Sequence, residues 1–183
     1  MSINPMKWRL KTFGVIGVIF IFYALFIYKY SHQTQIEGVI KNTHPTEVWE
    51  FVADFSNMKL LNSLIENFNI IAESGNYNNW QYSVEYTEHL RYVPFIRNYG
   101  QGHYTIKQEN LHYVIYSNHV TCFLSFLCLK STSEFRFEKD GEKDTRCTEK
   151  VEYQCPLTFM RLCDKEVQEQ RKEIMEKLKV AFS

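Results

Sequence analysis

The chain has 183 residues with 21 acidic and 21 basic side chains, so its formal net charge is zero. It carries no basic stripe interleaved with aromatic residues, which excludes a typical nucleic-acid-binding surface. Aromatic residues make up 16% of the sequence, a share that suits a thick β-rich core or the wall of an apolar cavity.

The first element is an uncharged and mostly apolar run at residues 12–28. A helix of this run would be about 25 Å long, at the short end of what crosses a hydrocarbon core of roughly 30 Å. The preceding basic residues place the N-terminus in the cytosol by the positive-inside rule. We therefore predict a single-pass membrane protein with a transmembrane anchor at residues 1–30. A cleaved secretory signal is the alternative, but the run exceeds the usual apolar length of about 7–15 residues and has no small-x-small cleavage pattern.

A single domain at residues 35–183 is predicted to follow, joined to the anchor by a short polar tether at residues 31–34. Its first elements are a strand at residues 35–41 and a helix that Thr43 caps and Pro45 starts. A second short helix is predicted at residues 58–64.

From residue 66 onward the sequence alternates as strands do. Trp80, Tyr82 and Tyr86 alternate with polar residues, which indicates a half-buried strand with one apolar face. Asp140 and Gly141 form a turn pair between two later strands, and about six antiparallel strands are predicted in this region. Apolar residues then recur at helical spacing from residue 157 to 181, which predicts one long C-terminal helix.

The segment at residues 42–58, NTHPTEVWEFVADFSNM, resembles the opening of the StAR-related/Bet v 1-like (SRPBCC) superfamily. It is most similar to the polyketide cyclase and coenzyme-Q-binding branch. The resemblance implies an α+β helix-grip fold, in which a curved antiparallel sheet wraps around the long C-terminal helix, here preceded by one transmembrane helix. It also implies an apolar cavity between sheet and helix, since members of the superfamily bind lipids, sterols and quinones.

Residues on the inner face of the sheet and on the final helix are the candidate wall of this cavity. Aromatic rings with a few polar tips suit a lipid or isoprenoid ligand, although ordinary core packing accounts equally well for any single residue. The candidate ligand-binding residues are Trp80, Tyr82, Tyr86, Tyr104, Phe135, Phe137, Tyr153, Cys163, Val167 and Ile174.

The apolar stretch at residues 122–129 has three interpretations: a buried strand, a cover over the cavity mouth, or a segment that dips into a membrane. The loop at residues 93–96 is a second candidate lip of the cavity. The residues predicted to form the membrane-facing lip are Phe95, Ile96, Phe123, Leu124, Phe126 and Leu127.

No catalytic constellation is recognisable, because the chain has no GxSxG elbow, no HExxH spacing and no glycine-rich phosphate loop. An enzyme of this fold would need a polar group inside the cavity, such as Glu149 or His103. No cofactor or metal is expected. The cysteines lack CxxC spacing and are interpreted as small buried residues, with a disulfide framework as the alternative.

The sequence thus predicts a membrane-anchored protein, not an enzyme, that binds or transfers a lipid, sterol or isoprenoid quinone. One alternative is a cyclase- or hydrolase-type enzyme, and the other is a ligand-free scaffold that binds other proteins. The expected partners are a membrane, the hydrophobic ligand and a membrane protein, without nucleic acid.

Overall fold

The described residues, 5–109, 112–123 and 127–183, form four α-helices and seven strands in the computed structural model, with side chains described from residue 12 onward. The strands form one antiparallel sheet in which the second to the seventh follow one another and the first lies beside the seventh. In chain order the elements are α1 (Pro5–Phe22), a π-helical turn (Tyr23–Ile27), β1 (Lys29–Ile40), α2 (Pro45–Ala53), α3 (Phe55–Leu61), β2 (Ile65–Asn76), β3 (Asn79–His89), β4 (Arg97–Glu109), β5 (His112–Phe123), β6 (Leu127–Asp140), β7 (Asp144–Pro156), a 3-10 turn (Leu157–Phe159) and α4 (Met160–Ala181).

The predicted order of one strand, two short helices, six strands and a long final helix is confirmed. The curved antiparallel sheet with its C-terminal helix is consistent with a helix-grip fold. The alternation in β3 has the predicted effect, because Tyr82, Val84 and Tyr86 are buried while their neighbours are not. One face of the sheet is therefore apolar and has to be covered by the helices.

Strand β1 is longer than predicted and includes residues 31–34, which the sequence suggested as a tether. These residues pair with β7, from Ser31 opposite Gln154 to Thr34 opposite Val151. The tether was inferred from polar composition alone. Polar residues fit a strand equally well when one of its faces meets water, so the strand begins almost directly after the π-helical turn.

Helix α2 begins as the sequence predicts, with Pro45 in its first turn, but its cap is different. The ring of His44 accepts a hydrogen bond from the Thr46 N–H at 3.4 Å. The predicted cap, Thr43, instead donates its hydroxyl to the Lys41 carbonyl. A histidine nitrogen thus takes the place of the hydroxyl oxygen that usually accepts at this position.

The short helices and the end of α4 close one half of the concave face. Trp49 of α2 is only 2% exposed, and its ring lies 4.9 Å from that of Tyr113, centroid to centroid. On α4, Ile174 and Leu178 are fully buried in the same cluster. Helix α4 itself lies against β1, β7 and α3. This half of the molecule is a closed apolar core.

Four of the five cysteines form disulfides, which corrects their interpretation as small buried residues. Cys122 bonds to Cys128, and Cys155 bonds to Cys163, while Cys147 is a buried free thiol. Cys122 and Cys128 lie directly opposite each other on β5 and β6. The pairing depends on strand register and on the approach of α4 to β7, and sequence spacing reveals neither.

The N-terminal apolar run is divided between α1 and the π-helical turn. Its large apolar side chains from Phe13 to Phe22 are 55–71% exposed. Within the described part of the chain, no helix combines the length and the apolar character that crossing a bilayer requires. The predicted transmembrane helix is therefore unsupported by the structure, and membrane attachment is treated below as a proposal.

Candidate ligand-binding site

The predicted aromatic wall lies on the concave face of the sheet. Tyr82 and Tyr104 stack with their ring centroids 4.8 Å apart, and the Tyr82 hydroxyl donates to the Ala53 carbonyl of α2 at 2.8 Å. These rings contact protein atoms, so their burial alone does not assign a ligand to them. Of the sheet residues predicted for the site, Trp80 is partly buried. The others are buried: Tyr82, Tyr86, Tyr104, Phe135, Phe137 and Tyr153.

Helix α4 contributes the predicted residues Cys163, Val167 and Ile174, and one residue that the sequence analysis did not select. Arg171 follows Val167 by four residues and precedes Ile174 by three, so it lies on the same side of the helix. Its position fills the gap in the apolar stripe. A charged residue at an inward position of an apolar stripe indicates a buried polar partner, and the sequence analysis did not use this signal.

Arg171 forms an ion pair with Glu149 of β7 inside the fold. Its Nη1 atom donates to Glu149 Oε1 at 3.0 Å, and the glutamate side chain is only 4% exposed. Burial raises the pKa of Glu149, while the Arg171 charge and a hydrogen bond from Ser133 oppose that rise. Glu149, one of the two polar groups named as candidates, is thus buried in the fold and paired with a cation.

A row of polar side chains continues from this pair across β6, β5 and β3. The Ser133 and Ser117 hydroxyls are 2.8 Å apart, and Ser117 Oγ is 2.9 Å from His119 Nε2. The other ring nitrogen, Nδ1, is 3.1 Å from the Tyr86 hydroxyl. Burial, with a smaller effect of the Arg171 charge, lowers the pKa of His119 to about 3. The ring is therefore neutral at physiological pH, with one nitrogen donating and the other accepting.

Two glycines of β4 make room for this row. A Cβ atom at Gly100 would overlap the ring of Tyr86, and one at Gly102 would lie 3.0 Å from His119 Nδ1. Both rings can lie close over the strand only because these positions have no side chain. Glycines in a strand interior often mark such a close approach.

Glu88 and Asn98 extend the polar region on β3 and β4, where they face each other. Both amide atoms of Asn98 are buried and have no hydrogen-bond partner in the part of the chain that the structure describes. Such atoms are rare in native proteins, since each costs about 1–3 kcal/mol. Burial raises the pKa of Glu88 to about 7, although the Arg171 charge acts in the opposite direction.

The polar half of the concave face is not closed. Side chains on this face and on the facing side of α4 remain partly exposed although the sheet lies behind them and the helix in front. The core beneath α2 is sealed by comparison, and we therefore interpret this half of the concave face as open. The partly exposed inward residues are Glu88, His119, Thr121, Ser133 and Val167.

The loop between β3 and β4 borders the open half. Glu166 of α4 accepts hydrogen bonds from the backbone N–H groups of Arg91 and Tyr92, at 3.1 and 2.8 Å. The carboxylate thus fixes the loop to the helix. At the tip of the loop the predicted lip residue Phe95 is 85% exposed, and Ile96 is partly buried.

The second predicted lip is the connection between β5 and β6. Phe123 ends β5 and Leu127 begins β6, and both side chains are partly buried. The predicted lip residues Leu124 and Phe126 lie outside the described residues. Strands β3 and β5 finish, and strands β4 and β6 begin, at the same end of the sheet. The two lips therefore lie on one side of the open half.

His103 is not part of the site. It lies on the outer face of the sheet, where its Nδ1 atom is 2.9 Å from the Ser83 hydroxyl. The sequence analysis did not select Glu88, Asn98, Ser117, His119, Ser133 or Arg171. In the described residues, no group of three or more His, Cys, Asp or Glu side chains could hold a metal ion.

An open depression of about 450 Å³ lies elsewhere, on the outer face of the sheet. Its lining includes Gln33, Asn118, Thr132 and Glu152, which are exposed polar residues. A shallow polar surface cannot shield an apolar ligand from water. The depression is therefore unrelated to the predicted cavity.

No protein-family profile and no curated protein matches this sequence. Solved structures share its fold. It is similar to the Zhui aromatase/cyclase from Streptomyces sp. R1128, with a TM-score of 0.62 and 11% identity over 82% of this chain and 93% of that one. It is similar to a START superfamily protein from Mycobacterium smegmatis, with a TM-score of 0.57 and 12% identity over 82% and 97% of the two chains. Norcoclaurine synthase from Thalictrum flavum gives a TM-score of 0.57 and 11% identity over 84% and 87%.

These structures define the class of fold. One of them is a START superfamily protein, and the chain shares its fold, so the fold that the resemblance of residues 42–58 implied is supported. Identities of 11–12% carry no residue roles from those proteins to this one.

Proposed function

We propose that this protein binds a hydrophobic small molecule, of the lipid, sterol or isoprenoid quinone class, between the sheet and α4, and that its N-terminal helix attaches it to a membrane. The observation that carries the proposal is the open half of the concave face. Inward side chains such as His119 and Val167 keep partial exposure there, beside the aromatic rings of Tyr86 and Tyr104. A concave site with mostly apolar walls and a few polar groups is typical of small-molecule binding.

Membrane attachment is supported by the exposure of the N-terminal helix. Phe13, Val18 and Phe20 are 67–71% exposed, and apolar residues occur on all sides of the helix rather than along one stripe. A protein partner needs one apolar face, whereas a bilayer contacts every face. The bilayer is therefore the proposed occupant.

The helix also leads to the open half of the domain. The ring of Phe26 in the π-helical turn lies 6.4 Å from that of Phe159, centroid to centroid, just before α4. Thr158 donates its hydroxyl to the Leu25 carbonyl at 3.0 Å. Lys29 donates from Nζ to the carbonyl of Cys128 in β6 at 2.6 Å. The proposed anchor and the two lips thus belong to one end of the molecule, which suits exchange of a ligand with the bilayer.

Mass spectrometry of apolar material extracted from the purified full-length protein tests the ligand. We expect a lipid-like compound in stoichiometric amount, enriched over the same extraction from an unrelated membrane protein prepared in the same way. Background lipid alone would contradict the proposal. Alkaline carbonate washing of membranes tests the attachment: the full chain should stay in the pellet, and its release by the wash would contradict a membrane-inserted helix.

A second candidate function, an enzyme of the cyclase or hydrolase type, is favoured by one observation. Glu88 borders the open space with a pKa raised by burial to about 7, a value that suits a general acid or base at neutral pH. The discriminating experiment is to recover the extracted ligand after prolonged incubation with the protein. A binding protein returns it unchanged, whereas an enzyme converts it.

A further inference from the structure

The polar groups around the open half have hydrogen-bonding capacity that the described protein leaves unused. The amide of Asn98 and the Nε atom of Arg171 are buried without a partner. Asn98 faces Glu88 across the strand pair, and Glu88 as a whole residue is only partly buried. Buried polar atoms of this kind are normally satisfied by a hydrogen-bonding group, which can be an ordered water or a polar group of a ligand.

The charges around the site restrict what that group can be. Arg171 is the cation, and its charge is already paired with Glu149 at 3.0 Å. Glu88 is acidic, and the negative charge of Glu166 on α4 raises its pKa further. The cation of the bordering loop, Arg91, is already paired with Glu173 of α4. An additional carboxylate would meet two like charges without a free cation, which is unfavourable in a low-dielectric interior.

We propose that this polar region recognises the neutral hydrogen-bonding head group, such as a hydroxyl, of an otherwise apolar ligand, and discriminates against a ligand that ends in a carboxylate. The inference rests on the proposed function, since it names the head group of the same ligand. A hydroxyl donates to the Glu88 carboxylate and accepts from an Asn98 or Arg171 N–H, so it satisfies both kinds of unused group at once. The apolar remainder of the ligand lies against Tyr86, Tyr104 and Val167.

A head-group series with one chain length tests this proposal. Full-length protein in lipid nanodiscs is titrated with 1-decanol, decanoate and decylammonium at pH 8 by calorimetry, with empty nanodiscs of the same lipid as the blank. We expect saturable binding of decanol at least tenfold tighter than that of decanoate or decylammonium. Equal affinities, or tighter binding of either charged ligand, would overturn the head-group proposal.

Glu88→Gln is the decisive variant, because it removes the opposing charge and keeps the shape. It should raise the affinity for decanoate about tenfold and lower the ratio of decanol affinity to decanoate affinity by at least the same factor. Glu85→Gln, on the outer face of the same strand, is the control and should change neither. Unchanged discrimination in Glu88→Gln overturns the proposal. If none of the three ligands binds saturably to any variant, the proposed function itself fails, and the two failures are thereby distinguished.

Discussion

Arg171 on α4 and Glu149 on β7 form an ion pair in the interior, with Nη1 donating to Oε1 at 3.0 Å and the two side chains 19% and 4% exposed. The pair connects the final helix to the sheet at the boundary between the closed core and the open half. The cost of removing two charges from water offsets most of their attraction. Such a pair therefore fixes how the helix sits on the sheet more than it adds to the stability of the fold.

Removal of one partner should therefore be costly, and removal of both much less so. Arg171→Met leaves a buried carboxylate unpaired and should lower the free energy of unfolding by about 3–5 kcal/mol. The double variant Arg171→Met/Glu149→Leu should recover most of this loss. Urea unfolding of the single and double variants measures both effects. Equal loss in both variants would show that the pair contributes through packing and not through charge.

Burial of Glu88 in the same interior makes the stability of the protein depend on pH. Burial raises the pKa of Glu88 from its ordinary value of 4.5 to about 7, so the native protein resists ionisation of this group. Below about pH 4.5 the group is protonated in both the folded and the unfolded state and costs nothing. Stability is lost as the pH rises from about 4.5 to about 7, and the loss is complete above that range. Glu88→Gln removes this loss and should be about 3 kcal/mol more stable than the wild type at pH 8, at about 1.4 kcal/mol per pKa unit. At pH 4.5 the two proteins should be equal.

Thermal or urea unfolding at the two pH values measures the difference. Glu85→Gln provides the matched control, because Glu85 lies on the outer face and its pKa is lowered by hydrogen bonds from Tyr99 and Gln101. This variant should not gain stability at pH 8. A gain of similar size in both variants would mean that general surface charge, rather than burial of Glu88, governs the effect.

The closed half of the fold depends on Trp49. Its side chain is 2% exposed and packs between α2 and the sheet, next to Tyr113. Trp49→Ala should lower the free energy of unfolding by about 3–5 kcal/mol, because the cavity cannot be refilled. Leu60→Ala is the control: Leu60 is 68% exposed, so the change should stay within about 0.5 kcal/mol. Equal unfolding midpoints for the two variants would contradict this packing.

The domain boundary is defined by β1 and not by the tether inferred from composition. Deletion of residues 1–28 leaves β1 intact and should give a folded protein with native circular dichroism. Deletion of residues 1–34 removes the segment of β1 that starts at Lys29 opposite Pro156, exposes part of β7, and should lower the unfolding midpoint or abolish folding. Indistinguishable stability of the two fragments would show that the first half of β1 contributes nothing.

The sequence was sufficient for the order of the elements, since apolar alternation and helical spacing report on local structure and on one buried face. It also placed Tyr82, Tyr104 and Phe137 on that face. It failed where two distant segments meet. The partners of Cys122 and Cys155 depend on register and on helix docking, and compositional reasoning could not reveal that residues 31–34 continue a strand.

Glu149 was named as a possible polar group inside the cavity, but the rest of the polar interior was missed for a different reason. Glu149 shares the inward register of Cys147 and Val151, and Arg171 interrupts the apolar stripe of α4, so both were charged residues at apolar positions. Each looks like an exception when it is considered alone. Only the fold shows that they meet, and that Asn98 and Glu88 face the same space.

The central claim, that an apolar ligand lies between the sheet and α4, is tested most directly by filling that space. Val167 lies on the inward side of α4 and is partly exposed, whereas the adjacent Gln168 is exposed to solvent. Fluorescent sterol, phospholipid, fatty-alcohol and isoprenoid quinone probes are titrated against full-length wild type, Val167→Trp and Gln168→Trp in nanodiscs. Thermal unfolding of each accompanies the titrations, since overpacking itself costs about 1–3 kcal/mol.

The account predicts saturable binding of at least one probe to the wild type and to Gln168→Trp. It predicts binding at least tenfold weaker to a folded Val167→Trp. Absence of saturable binding to the wild type, or equal binding by all three proteins, would contradict it and would favour a protein-binding scaffold.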